Sequence, residues 1–254
     1  ECYNLSRQIE AAEGYNSLSR LVIVMLIDSA RKAENYALAV QITDDALADT
    51  HLRESARTQA LRKGAQAALA AGNNTKARTY LTTLLDEYPD FGLDDIGSRV
   101  NVEMDLIKAN GYSIKDNDPE AVDALAALVK DPRYIGLGCW TSPVEQLARL
   151  LDKTDKTVEA NALRLWAVDQ ISEKINNRDP SDSNTAFFNK GSRKRQLVLL
   201  QSAAHAYRKQ RMYQEQAEVL DRMVSDFGDL DPDIINPANA ELARLAEREI
   251  LPSP

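Results

Sequence analysis

Aromatic residues make up only 6% of this 254-residue chain, and glycine (10), proline (9), histidine (2) and cysteine (2) are sparse too. Each shortage excludes something. A sheet protein would draw more heavily on Val, Ile, Thr, Tyr and Phe, whereas here Ala and Leu dominate the apolar set, which favours helices. Two histidines, His51 and His205, do not easily furnish a conventional catalytic inventory. The two cysteines, Cys2 and Cys139, form no CxxC pair, so zinc and thioredoxin-like chemistries have no support. The longest apolar run, Leu21 to Ile27, is seven residues, against the roughly 20 that a membrane-spanning helix needs. Basic residues are also outnumbered. The formal charge of −8 argues against nucleic-acid partners. The best local exception, Arg193-Lys194-Arg195, reads as a solvated helix start.

What is present is helical periodicity. Helices are expected over 15–34, 36–48, 54–71 and 76–88, with Gly72-Asn73-Asn74 as the turn inside the second pair and Pro89 as a stop. The middle is less regular. Helices are expected over 94–110, from Pro119 to Lys130, over 143–152 and over 157–176. Between them, 131–143 reads as a loop whose Tyr134 and Trp140 either serve an interface or pack on neighbouring helices. Residues 176–184 are polar and turn-rich. A third pair then follows over 195–210 and 213–227, with a closing helix from Pro237 to Ile250.

The second hairpin carries a recognisable pattern. Leu61, Ala65, Gly72, Ala77, Leu81 and Pro89 stand in the order and spacing of a bulky anchor, a small contact, a turn, a second small contact, its large partner and a terminal proline. This resembles the tetratricopeptide repeat, which recurs about every 34 residues. Leu26, Tyr36, Ala39, Ala46 and Leu47 match it in the first hairpin. Leu200, Ala204, Tyr207, Tyr213 and Leu220 match it in the late one, with the alanine displaced to Ala217. Residues 93–179 depart from the pattern. The resemblance implies an all-α fold, an α-solenoid of stacked antiparallel hairpins in a right-handed superhelix, irregular in the middle. We expect one domain over 1–254, with a candidate internal boundary near 176–190.

The resemblance also implies an inner surface lined by first helices. Its groove positions fall on Asp28 and Arg31, on Gln59, Arg62 and Gln66, and on Gln201, His205 and Arg208. Such a set suits an extended peptide backbone and a terminal carboxylate. A wet helix face is the plainer account of the same residues.

Other constellations are weak. Cys139 beside Trp140 has no histidine near it in sequence. Asp229-x-Asp231-x-Asp233 has the opening spacing of a calcium loop, but Ile234 and Ala240 stand where glycine and glutamate are needed. No glycine-rich phosphate loop and no acid–base pair stand out, so neither metal, cofactor nor catalytic residues are expected. The expected function is non-enzymatic: binding or scaffolding of a protein or peptide. The alternative is a structural subunit that joins copies of itself end to end. The chain opens on Glu1, which hints at a removed leader and an extracytoplasmic location, periplasmic or secreted; a cytoplasmic one is the alternative. For an exported chain Cys2 and Cys139 are candidates for a disulfide, against two unrelated thiols, and Asn4 and Asn73 open sequons for glycosylation.

Overall fold

The computed structural model describes residues 18–49, 52–94, 98–113, 118–179, 181 and 185–247. Cys2, Asn4 and His51 lie outside them. Among the described residues there are eleven helices and no strand: α1 (Leu18–Lys32), α2 (Tyr36–Leu47), α3 (Glu54–Ala70), α4 (Asn74–Glu87), α5 (Ser98–Ala109), α6 (Pro119–Lys130), α7 (Thr141–Lys153), α8 (Thr157–Asn176), α9 (Thr185–Lys209), α10 (Tyr213–Phe227) and α11 (Pro232–Glu247). They fall into two compact units, one holding α1–α5 and the other α6–α11. Within each unit every helix packs on the next in the chain. Helices two apart in the chain also touch, α1 on α3 and α3 on α5 in the first unit, α7 on α9 in the second. Each unit is therefore an α-solenoid of antiparallel hairpins.

Four hairpin turns share one main-chain wiring. A single residue with positive φ follows each first helix: Glu34 (56°), Gly72 (72°), Asp155 (59°) and Arg211 (59°). The next residue's N–H then reaches back five positions, from Asn35 to Ala30 O (2.9 Å), Asn73 to Ala68 O (2.8 Å), Lys156 to Leu151 O (3.0 Å) and Met212 to Tyr207 O (3.0 Å). That is the Schellman closure, which satisfies a helix-end carbonyl and reverses the chain. The same four residues, Asn35, Asn73, Lys156 and Met212, then accept the first bond of the second helix, from Ala39, Ala77, Ala160 and Gln216. Asn35 and Asn73 add a side-chain cap, accepting from Leu38 N (3.2 Å) and Lys76 N (3.1 Å). The sequon asparagine Asn73 is thus exposed at a turn tip.

Small residues sit where helices cross. Ala39, Ala65, Ala77 and Ala204 are all buried, and Leu61, Leu81 and Leu200 beside them fill the core. Alanine at such a position lets backbones approach to about 8–10 Å without leaving a void.

Two expectations need correction. Arg193-Lys194-Arg195 is not a helix start. Helix α9 begins at Thr185, so the triplet lies in its third turn. The last helix begins at Pro232 and holds Pro237 within it. Asp231 sets that earlier start, its carboxylate accepting from Asp233 N (3.2 Å) and its carbonyl from Ile234 N (3.0 Å) and Ile235 N (2.9 Å). Tyr134 and Trp140 are buried at 1% and 0% exposure, so packing and not an interface accounts for them. Trp140 donates Nε1 to Val129 O (2.9 Å) and meets Trp166 edge to face at 5.4 Å. Helices α8 and α9, which flank the polar sequence 176–184, belong to the same unit and pack on each other.

Candidate functional site

In the second unit α7 and α9 run side by side as first helices, with α8 behind them. Residues at three- and four-residue intervals on each face the other. Glu145, Arg149, Asp152 and Lys153 come from α7, and Ser202, His205, Ala206, Lys209 and Gln210 from α9 and its end. Together with Thr157 and Arg164 of α8 they enclose a hollow of about 450 Å³.

Arg164 forms its floor. Its side chain is 2% exposed and every nitrogen has a partner. Nε donates to Glu145 Oε2 (3.0 Å), Nη2 to Asp152 Oδ2 (2.8 Å) and Glu145 Oε1 (3.4 Å), and Nη1 to Asn161 Oδ1 (2.8 Å). Burial works to lower its pKa, but hydrogen bonds and charge from Glu145 and Asp152 outweigh it and the net shift is upward. Asn161, fully buried, contacts Ala203 O of α9 through Nδ2 (3.5 Å). One oxygen is left over. Asp152 Oδ1 is buried and has no donor among the described residues.

A second hollow, about 320 Å³, lies further along the same pair of helices. It is lined by Thr141, Ser142 and Glu145 of α7 and by Lys194, Arg195, Val198 and Leu199 of α9. Glu145 borders both hollows, so they form one groove. Six basic residues line it against two carboxylates, in a chain whose formal charge is −8.

Of the residues that the resemblance pointed to, His205 lies on this groove wall, and it and its neighbours Gln201 and Arg208 are exposed. The first-unit positions are differently employed. Asp28 takes Lys63 Nζ on both oxygens (3.0 Å each) and Arg31 Nη1 on one (3.3 Å). Arg31 Nη1 also reaches Gln66 Oε1 (3.1 Å). These four residues strap α1 to α3. Gln59 and Arg62 are half-buried on α3.

The α7 wall escaped sequence reading. It belongs to the region that departs from the repeat pattern, so no position there could be assigned to an inner face. The one available signal was the charged i, i+4, i+7, i+8 stripe Glu145, Arg149, Asp152 and Lys153.

The acidic run is absorbed structurally. Asp229 holds Arg193 Nη1 (3.0 Å) and Nη2 (2.7 Å), Asp226 lies 3.5 Å from Arg222, and Asp231 caps α11. Among the described residues no group of three or more His, Cys, Asp or Glu is placed to hold a metal ion. No described helix is long and apolar enough to cross a membrane.

No protein-family model matches the chain, and no curated protein does. Two of the solved structures similar to it are of one protein. Both are crystal structures of nearly identical TPR-like repeats from a Podosopora anserina protein provisionally named a kinesin light chain. A form of it carrying one substitution has a TM-score of 0.46 at 19% identity over 83% of this chain and 96% of that one. The other has a TM-score of 0.45 at 18% identity over 80% and 92%.

Proposed function

We propose that this chain is a non-enzymatic binding module that holds an extended, acidic peptide segment of a partner protein in the α7–α9 groove. The observation that carries this is the groove's charge: a basic channel in an acidic chain attracts a negative ligand. Its floor favours a peptide over a nucleic acid. Glu145 at mid-groove repels a continuous line of phosphates. His205 and Lys209 on the exposed rim are placed for a carboxylate.

The test is selection of random 12-residue peptides on the immobilised full chain, followed by calorimetry with the selected sequences. Acidic peptides should be enriched, and His205→Glu with Lys209→Glu should weaken them about ten-fold or more. A library with no enriched sequence overturns the reading. So does tighter binding of a duplex oligonucleotide than of any peptide.

A second reading, self-assembly, is supported by one feature. Met25 on α1 is 65% exposed and Leu38 on α2 is 43% exposed, both in the first hairpin. Assembly predicts a mass that rises with concentration in light scattering and falls back to the single chain in Met25→Lys/Leu38→Lys. An extracytoplasmic location remains part of this proposal. It would be supported by a Cys2–Cys139 disulfide in non-reducing peptide mapping.

A further inference from the structure

Arg195 has no counter-ion among the described residues. Its side chain is half-buried on α9, Nη2 donates to Ser192 Oγ (2.9 Å), and Nε is buried with no acceptor. Among the described residues no carboxylate lies within ion-pairing distance of it. The contrast with its neighbours is direct. Arg164 has Glu145 and Asp152, Arg193 has Asp229, and Arg222 has Asp169. Burial lowers the Arg195 pKa, only partly offset by Cys139. A guanidinium does not release its proton at any ordinary pH, so the cost of this desolvated charge is carried by the fold.

The wall beside it is apolar and open. Val198 is 50% exposed although it borders a hollow whose other aliphatic residue, Leu199, is 2% exposed. Thr141 and Ser142 contribute two hydroxyls from the opposite helix, and Lys194 is an exposed second cation at the rim. The hollow therefore joins an unneutralised guanidinium to an uncovered aliphatic surface. Glu145, at its inner edge, already serves Arg164 and Arg149 and is not available to Arg195.

We propose that this hollow is a subsite for one acidic side chain of the bound peptide, its carboxylate on Arg195 and an adjacent apolar side chain of the peptide on Val198. The inference rests on the peptide reading of the groove. It adds a sequence preference. From Thr141 to Lys153 the α7 wall is about 18 Å long at 1.5 Å per residue, which an extended peptide of about five residues spans. One end of that segment would carry the acid and the apolar residue, while its other end lies over the Arg164 floor. A single carboxylate suits the place better than a phosphate, since Glu145 at the edge repels a dianion.

The experiment uses the same peptide selection on the wild-type full chain and on Arg195→Met and Arg195→Lys. Wild-type peptides should carry Asp or Glu within two positions of Leu, Ile, Val or Phe. A selected peptide should bind Arg195→Met about ten-fold or more weakly, as loss of a charge-assisted bond implies. Replacing its acid by the amide should cost as much on wild type and nothing further on Arg195→Met. Arg195→Lys should fall between. Enriched peptides without an acid–apolar pair, or additive losses in the two substitutions, overturn the subsite and leave the groove reading intact. A phosphopeptide binding more tightly than its glutamate counterpart overturns the carboxylate assignment. If no peptide is enriched, the groove reading itself fails and this inference with it.

Discussion

Gly64 on α3 faces Thr43 on α2 so closely that a Cβ at position 64 would lie 2.4 Å from Thr43 Cγ2 and 2.7 Å from its Oγ1. Thr43 has no room to yield. It is fully buried, and its hydroxyl donates to Ala39 O (2.9 Å). The α2–α3 crossing thus depends on glycine for proximity and not for conformation, since Gly64 lies within a regular helix. Gly64→Ala should destabilise the first unit by about 1–3 kcal/mol, even though helix propensity alone would add roughly 1 kcal/mol of stability. The urea midpoint of the full chain reads this. Thr43→Ala should relieve the variant only in part, because Thr43 Cβ itself would lie 2.9 Å away. A Gly64→Ala protein at least as stable as wild type would contradict the crossing.

Tyr80 ties α4 to α2 through a 2.6 Å bond to Asp44 Oδ1, and Lys76 pairs with the same oxygen at 2.8 Å. Tyr80→Phe should cost about 1–2 kcal/mol. The pair also fixes a pH response. Burial, then the bond to Asp44 and its charge, push the Tyr80 phenol well above its usual value. The folded state therefore holds the proton more tightly than the unfolded one. The associated stability is complete below the ordinary phenol pKa, about 10, and declines as pH rises from there towards the folded pKa. Between pH 9 and 11 the urea midpoint of wild type should fall more steeply than that of Tyr80→Phe. Parallel curves would mean that the phenol is not so held.

The Arg164 cluster should be costly to break from its cationic side. Arg164→Met leaves Glu145 and Asp152 without their shared partner and should destabilise the second unit by about 3 kcal/mol. Arg164→Lys should recover less than half of this, because an ammonium cannot reach Glu145, Asp152 and Asn161 together. Denaturation followed by circular dichroism measures both.

Only two tryptophans are present, Trp140 and Trp166, the first wholly buried and the second half-buried. Trp166→Phe should leave a blue-shifted emission that acrylamide quenches poorly. Trp140→Phe should leave a redder, more quenchable one. The reverse order would return the 131–140 segment to the surface.

How much of this was legible in the sequence depended on whether a residue's role is local. Leu61, Ala65, Ala77 and Leu81 were readable, because the repeat pattern that this hairpin resembles assigns each of them a packing position. The Gly72 turn was readable, because glycine tolerates positive φ. Glu34, Asp155 and Arg211 adopt the same conformation without being glycine, so their turns gave no such sign. The α9 start was obscured because 176–184 looks like a linker and nothing local shows that Phe188 will be buried at 7% exposure. The groove was least legible. Asp28, Arg31 and Gln66 sit on a plausible face, yet they are spent on one another and on Lys63. Arg195 looked like a surface cation, and its isolation emerges only when α7 is laid against α9.

Those three non-glycine turn residues yield a further expectation. A left-handed backbone costs an L-residue roughly 1 kcal/mol that glycine avoids. Glu34→Gly, Asp155→Gly and Arg211→Gly should each raise the urea midpoint, by up to about 1 kcal/mol in stability. A fall at all three would show that their side chains contribute more than the strain costs.

The shared wiring of the four turns has a bearing on how such a chain diverges. Amide and carbonyl are common to every amino acid, so a reversal held by them survives almost any change of letter at the bend. Glutamate, glycine, aspartate and arginine all stand at the same point of the loop here. Two lineages could keep hairpins of one shape while their spelling at the bends drifts beyond recognition.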